Sequence, residues 1–471
     1  MEKQKIAKKI ELLFISSTHT NGGGAESLLT NYVNSFDLSK YNITINEIDH
    51  YSTKKELIND DIKVLKPIRS AKNYLFNIFW GYFNFYLLHY KPEILRYVFH
   101  WHNFDYVIAW NYQLPSFALN GFSKTRKIAW FHGAIDDLNI ENSSDKELIK
   151  KNEMQKATWS KVDRIVTISN MSKQSLDKVF PDFSEMCEII NNGIDVLQIQ
   201  KNADEKLDFE FEKNCKYFCC VGRLDENKNF ILAIKALGII LKQNINCKLL
   251  IIGTGEKEAE YKTYVKQHGL ENAVIFLGYQ NNPYKIMKHC HCLCMTSFSE
   301  GWGLVVAEMM ALKKTFVTTK VAGACEELAD SNSCGLVSGW DEKEYAECLL
   351  RLVKEDSLYN TLCINAYNNV QQYTVRKSVQ KIENIFKKFP SKSKDKFILF
   401  DSVKAFLYYV FGNTFQFMIY SEQIKMCIGK FKKQRTLKAF VKIPVFLIYC
   451  LIRTICFPVF MVSSVLFYFW R

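Results

Sequence analysis

Two glutamates with glycines between them have the spacing of a ligand site. Glu300 lies in the loop that contains Gly301 and Gly303, and Glu308 lies early in an apolar helical run. A carboxylate in such a run is costly to bury unless it accepts hydrogen bonds, and sugar and ribose hydroxyls are suitable donors. The amides of Gly303 and Leu304, at the helix start, can meet a phosphate. The alternative is that both glutamates only cap helices. The apolar neighbours of Glu308 make this alternative the weaker one for that residue.

Two cations follow an apolar run of strand type, Tyr217–Val221. Arg223 and Lys228 stand in the sequence Gly222–Asn229, where both can reach one face of the turn. Two cations beside the start of a helix suit a diphosphate, because charge-assisted hydrogen bonds to phosphate are strong. Taken alone, the pair is better explained by solvated surface charges.

A glycine-rich loop follows the first apolar run of the chain, at residues 21–26. Gly23 and Gly24 let backbone amides approach an anion, and the helix that follows presents its positive end. A tight turn without a ligand explains the glycines equally well.

Short apolar runs alternate with helical patterns and must position these loops. Runs of this kind, typical of strands buried on both faces of a parallel sheet, are found at 10–17, 105–110, 127–131, 164–169, 217–221, 248–252, 274–277 and 315–319. Helical patterns at 230–241 and 256–268 continue the alternation, which predicts two α/β units. The polar stretch 196–214 is interpreted as the linker region.

The aromatic segment 73–90 has two interpretations. A stripe of Phe, Tyr and Trp is usually core, which favours a buried helix of the first domain. The alternative is a hydrophobic surface helix that touches a bilayer or a lipid-linked acceptor.

Composition excludes several classes of protein. The chain has 471 residues, of which 48% are hydrophobic and 24% charged, so two or three packed domains are expected rather than a disordered chain. The 15 cysteines are scattered through apolar runs, which indicates a reducing compartment rather than a disulfide framework. No secretory signal is recognised at the start, so the body is expected to fold in the cytoplasm.

The run His289–Cys294 contains two histidines and three cysteines and invites comparison with a zinc site. Cys292 and Cys294 lie in a strand-like stretch, where consecutive side chains point to opposite faces. The side chains cannot converge on one ion, so zinc is not predicted.

The motifs together resemble a known family. Glu300 and Glu308, the Gly222–Asn229 turn, the early glycine loop, residues 191–195 (NNGID), 276–279 (FLGY) and 323–327 (GACEE) follow one another in the order found in retaining glycosyltransferases of family 4. The resemblance covers about residues 10–390. It implies the GT-B fold, in which two Rossmann-like domains face a cleft: 1–195 on the acceptor side, and 215–390, with a closing helix, holding the nucleotide-sugar. The chain departs from the commoner pattern at Trp302 and Met309, neither of which removes a polar group.

The resemblance also implies roles for residues of the second domain. Arg223 and Lys228 bind the donor diphosphate together with Gly303 and Leu304. Glu308 binds the ribose hydroxyls.

Further implied roles concern the reacting sugar and the first domain. Glu300 lies beside the donor sugar, and His132 after a first-domain strand lies near the reacting centre. Gly23 and Gly24 close over the phosphates, and Asn192 and Asp195 lie on the acceptor side.

The implied reaction is sugar transfer with retention of anomeric configuration, by a hexosyltransferase of class EC 2.4. Positive groups stabilise the leaving nucleoside diphosphate in the place of a metal, so neither a metal nor another cofactor is expected. The nucleotide-sugar is a substrate, and the expected acceptor is a lipid-linked saccharide for a surface polysaccharide (O-antigen, capsule or lipopolysaccharide type).

The excess positive charge belongs to the C-terminal end. Residues 391–471 contain 10 Lys and 3 Arg against three acidic residues, a net charge of +10 out of the total of +13. Their basic stretch adjoins apolar runs at 403–420 and 443–470, which is typical of the cytoplasmic face of a membrane. We expect a membrane-associating helical extension that contacts an anionic surface, as a peripheral helix or a single anchor. A helical cap folded on the first domain is the alternative.

Two other functions stay open on the sequence alone. A basic adaptor for membrane or nucleic acid would lack catalysis, although basic residues beside apolar runs favour lipid over nucleic acid. A GT-B phosphorylase would release sugar phosphate from a glucan.

Overall fold

The computed structural model describes residues 8–18, 24–51, 58–70, 80–133 and 146–414, together with Val462, Val465, Leu466 and Phe469. Gly23, residues 71–79 and most of 415–471 lie outside these ranges.

A parallel sheet forms the centre of the first domain, in the order β4-β2-β1-β6-β7-β8-β9. Its strands are β1 (Ile10–Ser16), β2 (Tyr41–Glu47), β4 (Lys63–Val64), β6 (Tyr106–Ala109), β7 (Arg126–Phe131), β8 (Arg164–Thr167) and β9 (Cys187–Ile189), and the short pair β3 (Asp49–His50) and β5 (Arg69–Ser70) lies beside it. Side chains Leu12–Ile15 are fully buried because helices cover both faces of a sheet of this type.

Helices pack on both faces of the first sheet. They are α1 (Gly24–Ser35), α2 (Tyr82–Tyr90), α3 (Pro92–Val98), α4 (Leu114–Ala118), α5 (Lys146–Trp159) and α6 (Asn170–Val179). In α2, Phe83, Leu87 and Leu88 are buried in the first-domain core, so the described part of segment 73–90 is a core helix.

The second domain repeats the architecture with the strand order β12-β11-β10-β13-β14-β15. Its strands are β10 (Lys216–Val221), β11 (Cys247–Ile252), β12 (Val274–Gly278), β13 (Cys292–Met295), β14 (Thr315–Thr319) and β15 (Leu336–Ser338). Its helices are α7 (Val196–Ala203), α8 (Ile231–Leu241), α9 (Glu258–Gln267), α10 (Tyr284–Met287), α11 (Leu304–Ala311), α12 (Glu342–Lys354) and α13 (Asp356–Val370). The strand order is that of a Rossmann fold and confirms the two predicted α/β units.

The strand order reverses between the neighbours β10 and β13. Ligands of open parallel sheets bind outside the carboxyl ends of the strands at such a point. The turn with Arg223 and Lys228 follows β10, and the loop with Glu300 follows β13, so both motifs reach the same edge.

The predicted linker region begins with a helix. Asp195 accepts a hydrogen bond from the Gln198 amide at 2.9 Å and caps α7, whose Val196, Ile199 and Ala203 are buried. Because polar residues separate these apolar positions, a helix with one buried face was not recognised from the sequence.

The closing helix α14 (Val375–Lys388) returns to the first domain. Ser378 Oγ donates to the Asn191 carbonyl at 2.9 Å, and Tyr106 of β6 donates to the Phe386 carbonyl at 3.0 Å. The second domain is therefore tied to the first by a helix that packs on α1.

The first part of the expected tail packs on the first domain. The Asp395 carboxylate accepts from the amides of Lys124 and Thr125 at 2.9 and 3.0 Å. In the helix α15 (Leu399–Thr414), Tyr409 is buried and donates to Asn84 Oδ1 at 3.1 Å. Residues 395–410 thus form a helical cap on the first domain, the alternative considered for this stretch, because Asp395 and Tyr409 find partners that only the tertiary fold provides.

Within the ranges that the structure describes, no helix combines the length and the apolar character that crossing a bilayer requires. The basic stretch 425–442 and nearly all of the apolar run 443–470 lie outside those ranges.

Candidate functional site

The carboxyl edges of the two sheets face each other across a narrow cleft. A Cβ added to Gly301, in the loop after β13, would lie 3.3 Å from the His132 carbonyl and 3.3 Å from Gly133 Cα, in the loop after β7. The same Cβ would lie 2.9 Å from Ile168 Cδ1, so glycine suits the close approach of the two loops. The structure therefore brings the neighbourhoods of Glu300 and His132 together.

Glycines shape the turn after β10. Gly222 has a φ of 148°, and a Cβ on Gly253 would lie 1.8 Å from the Gly222 carbonyl oxygen, so the turn packs directly on the loop after β11. The Asp225 carboxylate accepts from the Lys228 amide at 3.0 Å, and the Lys228 stem folds over Gly222. Lys228 is thereby directed back over the end of β10.

The ammonium of Lys228 forms an ion pair with the Glu300 carboxylate. Ser297 Oγ donates to the same oxygen, Oε1, at 2.7 Å. Both charged side chains are largely buried, with 21% and 15% of their side-chain surfaces exposed. An ion pair in such surroundings is screened less than one on the surface. The structure thus pairs Lys228, which was predicted to bind the diphosphate, with Glu300, which was predicted to lie beside the donor sugar.

Arg223 takes a different position from Lys228. Its side chain is 84% exposed, and its guanidinium lies 3.3 Å from the Asp225 carboxylate. The guanidinium stands at the rim of the same turn, where it is accessible to an anionic ligand that enters the cleft.

Asn227 joins the two loops of the second domain and was not singled out in the sequence. Its side-chain amide donates to the Ser299 carbonyl at 2.8 Å, and its oxygen accepts from the Ser299 amide at 3.0 Å. Thr296 Oγ1 adds a hydrogen bond to the Lys228 carbonyl at 2.7 Å. These bonds set the spacing between Lys228 and Glu300.

The helix α11 begins in the cleft. Its N-cap, Gly303, has a left-handed backbone (φ 86°, ψ 55°), and a Cβ there would lie 3.2 Å from that of Ala324. Left-handed backbone at the cap directs the chain from the Glu300 loop into the helix, and the helix start at Leu304 presents amides and a partial positive charge.

The first residue of α1 lies against the first residue of α11. A Cβ on Gly24 would approach Leu304 Cδ1 to 2.9 Å. Two helix starts, one from each domain, therefore meet in the cleft, which is a favourable place for an anion. Gly23, the other predicted glycine of this loop, is outside the described residues.

Glu308 lies one turn into α11 and is held by a residue that was not predicted. The Tyr284 hydroxyl, on α10, donates to Glu308 Oε1 at 3.0 Å. Burial raises the pKa of the Glu308 carboxyl to about 7, and the hydrogen bond from Tyr284 opposes that rise. Part of the Glu308 residue is accessible to solvent.

His132 follows β7 and packs among tryptophans. Its ring lies 4.8 Å from the Trp110 ring and stacks on Trp130 at 6.0 Å. Burial lowers the pKa of His132 to about 3, so the imidazole is neutral at physiological pH. Its Nε2 is buried and has no partner among the residues described.

The predicted acceptor-side residues lie near the interdomain connection. Asn192 is buried with its side-chain oxygen unpaired within the described part of the chain. Asp195 caps α7, which accounts for its carboxylate without a ligand. Their role toward an acceptor stays a prediction.

A polar cavity of about 550 Å³ lies between the two domains and is lined by residues of both. At its wall, Glu327 Oε1 accepts from the Asn170 amide, the first of α6, at 2.7 Å. This bond joins the two domains at a second point.

Among the described residues, no group of three or more His, Cys, Asp or Glu side chains could hold a metal ion. Within the run His289–Cys294, His291 bonds to the Leu352 carbonyl at 2.9 Å and stacks on Tyr359. Cys292 and Cys294 lie in the buried strand β13, as predicted.

Comparison with known proteins finds a family model that matches part of the chain, mostly in the second domain. Residues 202–369, which include Arg223, Lys228, Glu300 and Glu308, match the model of the family described as glycosyl transferases group 1.

A relative in Campylobacter jejuni is 31% identical over 201 residues, covering 42% of this chain. It is named N-acetylgalactosamine-N,N'-diacetylbacillosaminyl-diphospho-undecaprenol 4-alpha-N-acetylgalactosaminyltransferase. The chain spans about half the length of that relative, 53%.

Solved structures show the fold. The chain is similar to Anabaena HepE in complex with UDP, with a TM-score of 0.64, 18% identity and coverage of 81% of this chain and all of that one. It is also similar to a glycosyltransferase from Rickettsia africae, with a TM-score of 0.63, 16% identity and coverage of 82% and 100%. This chain therefore has the GT-B fold, and its residues 202–369 are similar to the family described as glycosyl transferases group 1.

Proposed function

We propose that the protein transfers a sugar from a nucleotide-sugar to a saccharide acceptor with retention of anomeric configuration. The observation that carries the proposal is the Lys228–Glu300 ion pair beside the start of α11, with Glu308 one turn further along. This arrangement offers positive charge to a diphosphate and carboxylates to hydroxyls at one point of the cleft.

Each of these side chains and backbone amides has a proposed role in the reaction. Loss of the sugar from the nucleotide leaves a diphosphate with increased negative charge, which Lys228, Arg223 and the amides of α11 stabilise. A cation that is already positioned beside the diphosphate lowers the activation barrier for sugar transfer without a rearrangement during the reaction. No divalent metal is therefore required. Glu300 orients the donor sugar, and Glu308 accepts hydrogen bonds from the ribose.

His132 contributes from the first domain. A neutral imidazole with a free Nε2 can accept a hydrogen bond from a sugar hydroxyl in the closed cleft. We assign His132 to the orientation of the reacting sugar, and Gly23 and Gly24 to the approach of α1 to the donor phosphates.

The proposed acceptor is a lipid-linked saccharide used for a surface polysaccharide. The Campylobacter relative is named for a diphospho-undecaprenol saccharide, which supports this class of acceptor. The HepE structure contains UDP, which supports a donor sugar activated by a nucleoside diphosphate. It does not identify the base of the donor used by this protein.

Association with the cytoplasmic face of a membrane would bring the enzyme to such an acceptor. The net charge of +10 in 391–471 favours anionic lipid. In addition, α15 presents apolar side chains outward: Leu399 and Phe400 are 70% and 76% exposed, and Val403 and Leu407 continue the same surface. An apolar surface beside basic residues suits the interface of a bilayer.

The test is a transfer assay on the full chain in membranes. A panel of nucleotide-sugars is supplied with lipid-linked saccharides, and the release of nucleoside diphosphate is measured with product formation. Glu308→Ala and Arg223→Ala are expected to lower transfer, whereas Arg351→Ala, at an exposed ion pair on α12, should leave it unchanged. Folded variants that transfer as well as the wild type would refute the site assignment.

A further inference from the structure

The Glu308 carboxylate has one oxygen occupied and one open. Oε1 accepts the hydroxyl hydrogen of Tyr284 at 3.0 Å, and within the described residues Oε2 has no hydrogen-bond partner. Tyr284 belongs to α10, which follows β12, so the contact joins two elements that are separate in the chain. It is the only contact of a polar side chain with this carboxylate in the part of the chain that the structure describes.

We propose that Tyr284 is the positioning residue for ribose recognition: it holds one oxygen of Glu308 so that the other meets the ribose hydroxyls. The inference rests on the proposed function, in which Glu308 binds the ribose. Tyr284 itself acts through Glu308 and need not touch the nucleotide.

The surroundings of Glu308 explain why it needs a polar partner. Its neighbours on α11, Ala307 and Met309, are fully buried, and the carboxyl stands where burial disfavours its charged form. A hydroxyl donor stabilises the carboxylate, which is the better acceptor for ribose hydroxyls. It also restricts the rotation of the side chain, so that less freedom is lost when the nucleotide binds.

A four-residue helix would be a poor support unless it were anchored, and α10 with the residues before it is anchored to the end of α7 and to the segment that follows α7. Asn282 donates to the Asn202 carbonyl at 2.7 Å and to the Glu205 carboxylate at 3.0 Å. Lys285 pairs with Asp208 at 2.9 Å. These contacts fix the short helix that carries Tyr284.

The experiment measures recognition of the ribose directly. Isothermal titration of the full chain with UDP, GDP, ADP and CDP identifies the nucleotide that binds tightest, and its 2′-deoxy form is then titrated. The wild type should prefer the ribonucleotide about 10-fold, as expected for a hydrogen bond to a charged group. Tyr284→Phe, which keeps the ring, should bind the ribonucleotide several-fold more weakly and prefer it by less than about 2-fold over the 2′-deoxy form.

Two further variants separate the possible results. Glu308→Ala should lose the preference completely. Tyr359→Phe also loses a hydroxyl hydrogen bond, to the His291 carbonyl at 2.9 Å, but at the amino edge of the sheet, so its preference should be that of the wild type.

Each contrary result has a distinct meaning. If no nucleotide binds, or if Glu308→Ala keeps the preference, the proposed role of Glu308 is wrong and the inference falls with it. If Glu308→Ala loses the preference and Tyr284→Phe keeps it, the role of Glu308 stands and the inference about Tyr284 is wrong. If Tyr359→Phe loses the preference as well, the effect is general destabilisation, and the inference is again wrong.

Discussion

Lys228 and Glu300 form an ion pair between the loops that follow β10 and β13, the two strands at which the order of the second sheet reverses. The carboxylate holds the ammonium over the end of β10, where a ligand can reach both residues. A diphosphate would compete for the ammonium and leave Glu300 available to sugar hydroxyls.

Removal of the Lys228 charge tests this arrangement. Lys228→Met is expected to lower kcat about 100- to 1,000-fold, the loss typical of one group that stabilises charge in a transition state. Steady-state kinetics with saturating donor measures the change. Lys262→Met, which breaks the exposed pair with Glu258 on α9, is the matched control and should retain wild-type kcat. Equal kcat values for Lys228→Met and the wild type would contradict the role in catalysis.

The contact between Gly24 and Leu304 predicts that a single methyl group added at position 24 weakens donor binding. Gly24→Ala would place a Cβ 2.9 Å from Leu304 Cδ1, so the Leu304 side chain must move at the start of α11. We expect KM for the donor to rise several-fold with little change in the melting temperature. Gly238→Ala on α8, where the nearest atom is 3.8 Å away, is the control. An unchanged KM in Gly24→Ala would show that the approach of α1 does not matter for donor binding.

The raised pKa of Glu308 predicts a pH dependence of nucleotide binding. Its pKa of about 7 lies above the ordinary value of 4.5, so the carboxyl takes up a proton as the pH falls through about 7. Because the carboxylate is the better acceptor, affinity should be full above that pH and decrease below it. Titrations between pH 5.5 and 8.5, an interval of about 1.5 pH units on either side of that pKa, measure the step. Glu308→Gln cannot ionise and should remove it; a step of equal size in the variant would assign the titration to another group.

The proposal that positive side chains take the place of a metal predicts that chelation has little effect. Transfer in the presence of excess EDTA should proceed at the wild-type rate, because Lys228, Arg223 and the start of α11 supply the charge. Loss of transfer on EDTA treatment, with recovery on addition of Mg²⁺ or Mn²⁺, would contradict metal independence.

The outward surface of α15 predicts binding to lipid. The full chain should sediment with vesicles that contain anionic phospholipid and less with neutral vesicles at the same salt concentration. Phe400→Ser should weaken the binding because Phe400 is 76% exposed on this surface. Leu197→Ser removes an equally exposed side chain (78%) on the second domain and should have no effect. Equal binding by the two variants would exclude α15 as the contact.

The sequence predicted the sheets and the loops better than the contacts between them. Apolar runs such as Leu12–Ile15 have the pattern of buried parallel strands. The motifs of Lys228, Glu300 and Glu308 lie at or near the ends of strands and helices whose order along the chain could be predicted. Periodicity carries such information because it is local.

Tyr284, Asn227 and Asp395 escaped prediction for a common reason. Each acts through a hydrogen bond to a residue far along the chain: Glu308, Ser299 and the amides near Thr125. Nothing in the neighbouring sequence marks such a bond. The same applies to the position of α15, which was expected to belong to a membrane tail and in the structure covers the first domain.

Sugar transfer with retention is tested most directly by the products of one reaction. The full chain, in membranes, is given a nucleotide-sugar and a lipid-linked saccharide, and the nucleoside diphosphate and the glycosylated lipid are quantified together. We expect equal amounts of the two, a new linkage with the anomeric configuration of the donor by NMR, and strong loss of both in Lys228→Met. Release of sugar phosphate that depends on orthophosphate, or an inverted linkage, would contradict transfer with retention.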